Sequence, residues 1–200
     1  METKNLVLTM DTLDNPTAEE FIEQYESKNK PVLIKNCPLE WKAFNWTDKH
    51  VAETIGYSGY DKFIKDYPIS INSYSPGKYL ADIPMAHSPL SHDYDTPHLF
   101  KNAACQPDSW KWLFWGPPNC GTSIHQDVDH SQAWNVCIKG HKYWWFWYNG
   151  KCLNTISGPG DIIFAPTDVW HAVTNLTASI SITHNYKRTG KKTFWGSWFW

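Results

Sequence analysis

Gly116-Pro117-Pro118-Asn119-Cys120-Gly121-Thr122-Ser123-Ile124-His125-Gln126-Asp127 is the stretch that decides the reading, together with Trp170-His171 further along the chain. His125 and Asp127 stand two residues apart, and His171 supplies a second imidazole. Two imidazoles and one carboxylate form the ligand set that suits a non-haem Fe(II) centre with open coordination positions. A bare His-x-Asp is weak evidence, because such pairs occur at any exposed strand end. Its surroundings carry the argument.

Downstream, short strands and turns alternate. From the stretch itself the pattern runs back to a strand over 110–115. It runs forward through strands at 133–139 and 142–148, separated by Gly140-His141. Gly158-Pro159-Gly160 is a turn, and strands follow at 161–165, 169–174 and 179–186. Evenly spaced short strands with Gly/Pro punctuation indicate a sandwich or barrel, and a double-sheet jelly roll accommodates this count. In 179–185 the isoleucines Ile180 and Ile182 share one face, while Ser181, Thr183 and Asn185 share the other. A polar face aimed inward implies a site, since buried polar groups need partners. The isoleucine face then needs cover from elsewhere.

That cover is expected from the N-terminal part. Thr17-Ala18-Glu19-Glu20 reads as a capping box opening a helix to about Lys28, with Phe21, Ile22 and Tyr25 on one face. A strand is expected at 31–37, and a helix from Asp48 to Ile55 capped by Thr47 and stopped at Gly56. A further strand is expected at 67–74, followed by a turn at Ser75-Pro76-Gly77. Residues 81–109, rich in Pro, His, Asp and Ser, read as a long irregular segment or lid. The division expected is residues 1–66 as outer helical and strand elements and residues 67–200 as the barrel core of one compact domain.

Composition fits a β-rich core: aromatics are 16% of the 200 residues, with 13 Trp. A net charge of −2 argues against bulk nucleic-acid binding. The N-terminal apolar run is too short for a signal peptide, and no run approaches a membrane span. Five cysteines without paired spacing read as reduced thiols of an intracellular protein, cytoplasmic or nuclear. Two sequons, at Asn45 and Asn175, read as chance in that setting. Lys187-Arg188 with Lys191-Lys192 reads as a solvated basic cluster or a weak nuclear-targeting signal.

The ordered motifs include Gly-Pro-Pro-x-x-Gly-Thr-x-Ile-His-x-Asp at 116–127, Ala133-Trp134-Asn135 and Gly140-His141-Lys142. Gly160-Asp161-x-Ile-Phe-x-Pro166 and Trp170-His171 follow in the same order. Together they resemble the jumonji C family of cupin-fold Fe(II)/2-oxoglutarate oxygenases, in the branch of lysyl-hydroxylases and arginine demethylases. The strong match covers about 112–186 and a weaker one, with Pro31-Val32-Leu33-Ile34 and Trp46-Thr47, reaches towards residue 16. The resemblance implies a double-stranded β-helix with the N-terminal helices packed outside. It also implies Fe(II), 2-oxoglutarate and O₂ as cofactor and cosubstrates, and His125, Asp127 and His171 as iron ligands. By the same resemblance Lys142 pairs with the distal carboxylate of 2-oxoglutarate. Asn135, Thr183, Thr122 and Tyr79 line the cosubstrate site, and Asn185 adds an amide near the metal.

The implied activity is hydroxylation of a protein side chain, lysyl or arginyl, or N-demethylation through the same hydroxylation. Alternatives are a cupin holding another divalent metal and an inactive jumonji-like scaffold. Asp129 and His130, just past the triad, are competing donors. Aspartates 82, 93, 95, 108 and 129 suggest an acidic rim for a basic peptide. His141 and His184 are expected in structural roles. The aromatic run 143–148 reads as core and sheet-face packing more than base stacking. The chain departs from the family pattern in its short extension past Tyr186. There the apolar Phe194–Trp200 tail stands where relatives carry a dimerising helical segment.

Overall fold

A computed structural model describes residues 7–57, 79–103 and 105–188. The strand and turn expected at 67–77, the 66/67 boundary and the aromatic tail lie outside these residues. Twelve strands are described. They are β1 (Val7–Thr9), β2 (Thr12–Asp14), β3 (Val32–Lys35), β4 (Leu80–Pro84), β5 (Lys111–Gly116), β6 (Gly121–His125), β7 (Gln132–Lys139), β8 (Lys142–Tyr148), β9 (Lys151–Ser157), β10 (Ile162–Ala165), β11 (Trp170–Asn175) and β12 (Ser179–Tyr186). They form a five-stranded sheet in the order β1-β9-β8-β11-β6 and a seven-stranded sheet in the order β2-β3-β10-β7-β12-β5-β4. All pairings are antiparallel except β1 with β9 and β2 with β3. This is the expected jelly roll of the cupin type.

Side-chain alternation divides the seven-stranded sheet into two faces. Val32, Ile34, Trp134, Val136, Ile162, Phe164, Ile180 and Ile182 point to an outer core. Leu33, Ala133, Ile163 and Ala165 point between the sheets, where Trp144, Phe146 and Val173 of the other sheet meet them. The outer core is covered by Phe21, Tyr25, Trp41, Trp46 and Val51 from the N-terminal part, and by Met85, Leu90, Leu99 and Phe100. The isoleucines of β12 thus receive the N-terminal cover that their parity required.

The capping box forms: Thr17 Oγ1 accepts from the Glu20 N–H at 3.2 Å and Glu20 Oε2 from the Thr17 N–H at 2.8 Å. It opens α1 (Ala18–Phe21), which widens at once into a π-helical turn over Ile22–Glu26, with the Ser27 N–H reaching the Ile22 carbonyl at 2.8 Å. The helix therefore ends before Lys28. Ile22, expected on the buried face, is exposed, because the stripe narrows to Phe21 and Tyr25. Thr17→Ala is expected to cost about 1 kcal/mol in urea unfolding, the usual worth of an N-cap hydroxyl. An unchanged midpoint would show that tertiary contacts alone hold α1.

Thr47 caps α2 (Asp48–Thr54), and Asp48 accepts from Trp115 Nε1 at 2.8 Å and pairs with Lys139, fixing the helix to the sheet. The 81–109 segment is more ordered than expected: β4 pairs with β5 across a bulge, and three 3-10 turns follow. β9 went unanticipated, as did the three-residue β1 and β2. In the aromatic run, Trp144 and Phe146 enter the core, while Trp145 and Trp147 stack on the outer face at 6.4 Å. All five cysteines are free. Among the described residues no helix is long and apolar enough to cross a membrane.

Candidate metal centre

β6 and β11 run antiparallel with His125 directly opposite His171, their ring centroids 4.2 Å apart. A regular strand would then turn Thr122, three residues before His125, to the other face. Instead the register shifts: Val173 pairs with Thr122, so Ser123 and Ile124 together oppose Ala172. The extra residue is a β-bulge, which restores the parity. Ser123 and Ile124 face solvent while Thr122 and His125 both line the cavity. Gly121 permits the close approach, since a Cβ there would lie 1.9 Å from the Val173 carbonyl oxygen.

Asp127 follows β6 at the start of a 3-10 turn, Val128–His130, in which Asp129 and His130 take left-handed φ of 55° and 51°. One Asp127 oxygen, Oδ1, stands 3.8 Å from His125 Nε2 and 3.8 Å from His171 Nε2. The three ligand atoms lie within 4.8 Å of one another. Each histidine spends its Nδ1 on a carbonyl: His125 on Ser123 at 2.7 Å and His171 on Val169 at 2.9 Å. Nδ1 must donate there, which leaves each Nε2 as a lone pair facing the carboxylate. Burial holds the His171 imidazole down at about 4, so it is neutral and available as a ligand. Burial also raises the Asp127 carboxyl, with His125 and the Asn185 amide pulling the other way. Asp127 Oδ2 is buried without a hydrogen-bond partner. A desolvated carboxylate facing two imidazole Nε2 atoms is costly unless a cation joins them, so the donor set fits a divalent metal.

The triad opens into a cavity of about 340 Å³, and all nine sequence-predicted site residues line it. Lys142 is 1% exposed and donates to Asn175 Oδ1 at 3.0 Å, with its ammonium 5.8 Å over the Tyr79 ring. Burial lowers that ammonium to about 8. Tyr79 and Thr122 hydroxyls are 3.4 Å apart. Asn135 and Thr183 oppose one another across β7 and β12, bonded at 2.7 Å, and Asn135 Oδ1 is left without a partner. Asn185 donates to Ser131 Oγ at 3.0 Å.

Trp112, Phe114, Trp144 and Val173 also line the wall and were not anticipated, whereas Asp82 stands there as one of the expected rim aspartates. Trp144 was readable from its strand parity with Lys142. Asn175, behind Lys142, shares a face with His171 and Val173; its complete burial excludes use of the sequon. His130 pairs with Asp168 at 2.8 Å, away from the triad, and the exposed Asp129 is likewise outside the ligand group. His184 contacts the Pro107 carbonyl at 2.9 Å, a structural role; His141 is exposed and its ring lies beside Gly158. The acidic rim is thinner than expected. Asp93 accepts from Trp46 Nε1, Asp108 pairs with Lys111, and Asp95 lines a separate groove, leaving Asp82 at this mouth.

No protein-family model matches the chain. It is 27% identical over 85% of its length to an arginine-specific demethylase of Arabidopsis thaliana, covering 44% of that protein. It is 25% identical over 86% of its length to the bifunctional arginine demethylase and lysyl-hydroxylase of Caenorhabditis elegans, covering 59% of it. The chain thus spans about half the length of these curated relatives. In fold it is similar to YcfD, a ribosomal oxygenase from Escherichia coli, with a TM-score of 0.61 at 13% identity, covering 93% of this chain and 54% of that one. In sequence over most of its length, in fold and in its ordered motifs, the chain is similar to the jumonji C proteins, in the branch of arginine demethylases and lysyl-hydroxylases.

Proposed function

We propose that the chain is an Fe(II)- and 2-oxoglutarate-dependent dioxygenase that hydroxylates a protein side chain, lysyl or arginyl, or N-demethylates it through the same hydroxylation. The observation that carries this reading is Lys142: a buried ammonium in the same cavity as a two-histidine, one-carboxylate triad. A metal-binding cupin of another class has no use for it. His125, Asp127 and His171 would hold the metal. Bound together, Fe(II), 2-oxoglutarate and O₂ supply oxidation of a C–H bond to an alcohol, with succinate and CO₂ released. Lys142 has one acceptor among the described residues, Asn175, so its remaining N–H groups are available to the distal carboxylate. The Tyr79 and Thr122 hydroxyls stand on the same side. Asn135, Thr183 and Asn185 line the same cavity, and Trp112, Phe114 and Trp144 exclude water from it. An alcohol on an N-methyl carbon loses formaldehyde, whereas one on a side-chain methylene persists. The curated relatives are named for both outcomes. The five free thiols support an intracellular setting.

Lys142→Ala is expected to weaken 2-oxoglutarate binding about tenfold to a hundredfold, the worth of a charge-assisted hydrogen bond, with metal binding kept. Equal loss of both would assign Lys142 to folding. The unaltered protein carries a pH signature from the same group. Below about 8 the ammonium is charged and binds the carboxylate; as pH rises through that value the proton leaves and affinity falls. Calorimetric titration at stepped pH checks the sign, and affinity that holds flat or rises would contradict it.

The substrate reading rests on Asp82 and on the relatives' names. Matched peptides carrying Lys, Arg, Asn or Pro targets, assayed for the mass gain of one oxygen or loss of a methyl, test it. Basic targets are expected to be preferred, more so at low salt. Preference for a neutral or acidic target would sink it.

A further inference from the structure

We infer that Asn175 is a positioning residue: its amide aims the Lys142 ammonium into the cavity and so sets affinity for the cosubstrate carboxylate without touching it. This rests on the 2-oxoglutarate reading above. Asn175 and Lys142 are directly opposed across β11 and β8, and the 3.0 Å bond between Oδ1 and Nζ is the lysine's hydrogen bond among the described residues. A lysine stem is flexible and its head a compact point charge, so something must fix the direction of its donors.

The other end of the amide shows why Asn175 can do so. Its Nδ2 lies 3.3 Å from the Gly116 carbonyl, 3.2 Å from that of Pro117 and 3.4 Å from Cys120 Sγ. Carbonyl oxygens only accept, so the nitrogen must face them and the oxygen must face the lysine. The main chain of Asn175 is tied to the same turn. Its N–H reaches the Cys120 carbonyl at 2.7 Å, and its own carbonyl takes the Asn119 N–H at 2.8 Å. Gly116 leaves the room: a Cβ there would come within 2.8 Å of Cys120 Sγ and 3.3 Å of Nδ2. The Gly-Pro-Pro-Asn-Cys-Gly turn therefore orients the amide, and the amide orients the ammonium.

A residue that merely clamps the turn would affect every property of the site alike, which separates the two roles. The full chain is titrated with Fe(II) and then with 2-oxoglutarate without oxygen, read by tryptophan fluorescence, for wild type, Asn175→Ala and Asn175→Asp, each with and without Lys142→Met. Asn175→Ala is expected to weaken 2-oxoglutarate about tenfold, with metal affinity held within about twofold. Asn175→Asp gives the ammonium an internal partner with one carboxylate oxygen and is expected to weaken the cosubstrate more than alanine does, while its other oxygen meets the Gly116 and Pro117 carbonyls and strains the turn. Asn175→Ser, titrated alongside, covers the case in which either variant fails to fold, because its hydroxyl can donate to the turn carbonyls but is too short to hold the ammonium. These effects on the cosubstrate should vanish on the Lys142→Met background, because the amide acts through the lysine. Equal losses for metal and cosubstrate, or losses that persist on that background, would overturn the inference and leave Asn175 a turn clamp. A wild type that binds Fe(II) but no 2-oxoglutarate would overturn both this inference and the function it rests on.

Discussion

Asp127→Ala is expected to abolish succinate formation and to weaken metal binding by more than about a hundredfold, beyond what loss of a supporting residue around a metal site costs. The reason is geometric, since one oxygen of Asp127 is placed 3.8 Å from both imidazole Nε2 atoms. The same change should leave the metal-free fold as stable as before, or more stable. It removes a carboxylate that burial disfavours and whose Oδ2 has no partner. The combined signature is an unchanged or raised Tm without metal, and loss of the Tm increase that added Fe(II) gives the wild type. A variant that keeps wild-type turnover would remove Asp127 from the ligand set, and one that unfolds without metal would contradict the stability argument alone.

The second large effect belongs to Gly121. An alanine Cβ would lie 1.9 Å from the Val173 oxygen and 2.8 Å from its carbonyl carbon, both backbone atoms of the paired strand. Neither can step aside without parting β6 from β11, the pairing that brings His125 opposite His171. Gly121→Ala is therefore expected to cost about 3 kcal/mol or more and to degrade metal binding with it. Gly150→Ala is the control: φ is +71° with nothing within 4 Å of a Cβ, so backbone strain alone applies, about 1–2 kcal/mol. Similar midpoint shifts for the two in urea would show that the strands are not so closely joined.

What could be read in advance depended on how local its cause is. The Thr17/Glu20 box and the Thr47 cap are settled within one turn of chain, and both form. The two faces of β12 follow from period-two alternation alone, and its inward Thr183 and Asn185 reach the cavity. β9 was hidden because Lys151-Cys152-Leu153-Asn154-Thr155-Ile156-Ser157 alternates poorly; its place between β1 and β8 makes it a strand. β4 holds a proline and an aspartate at φ 54°, tolerable only on the edge it occupies. The triad was legible as a motif, but the bulge that lets Thr122 and His125 share a face has no local signature. The aspartates of 81–109 were counted as one field, although tertiary partners claim Asp93 and Asp108.

The order of strands has a consequence for synthesis. β12 lies in the middle of the larger sheet, between β7 and β5, although it is the last strand described in the chain. While residues up to 178 are leaving the ribosome, β5 and β7 each present an open edge towards the other, and the outer core lacks Ile180 and Ile182. The nascent chain must hold those edges apart from other chains until residues 179–186 arrive to join them. The larger sheet cannot join β7 to β5 before this last described strand is made, and the same strand brings Thr183 and Asn185 to the cavity.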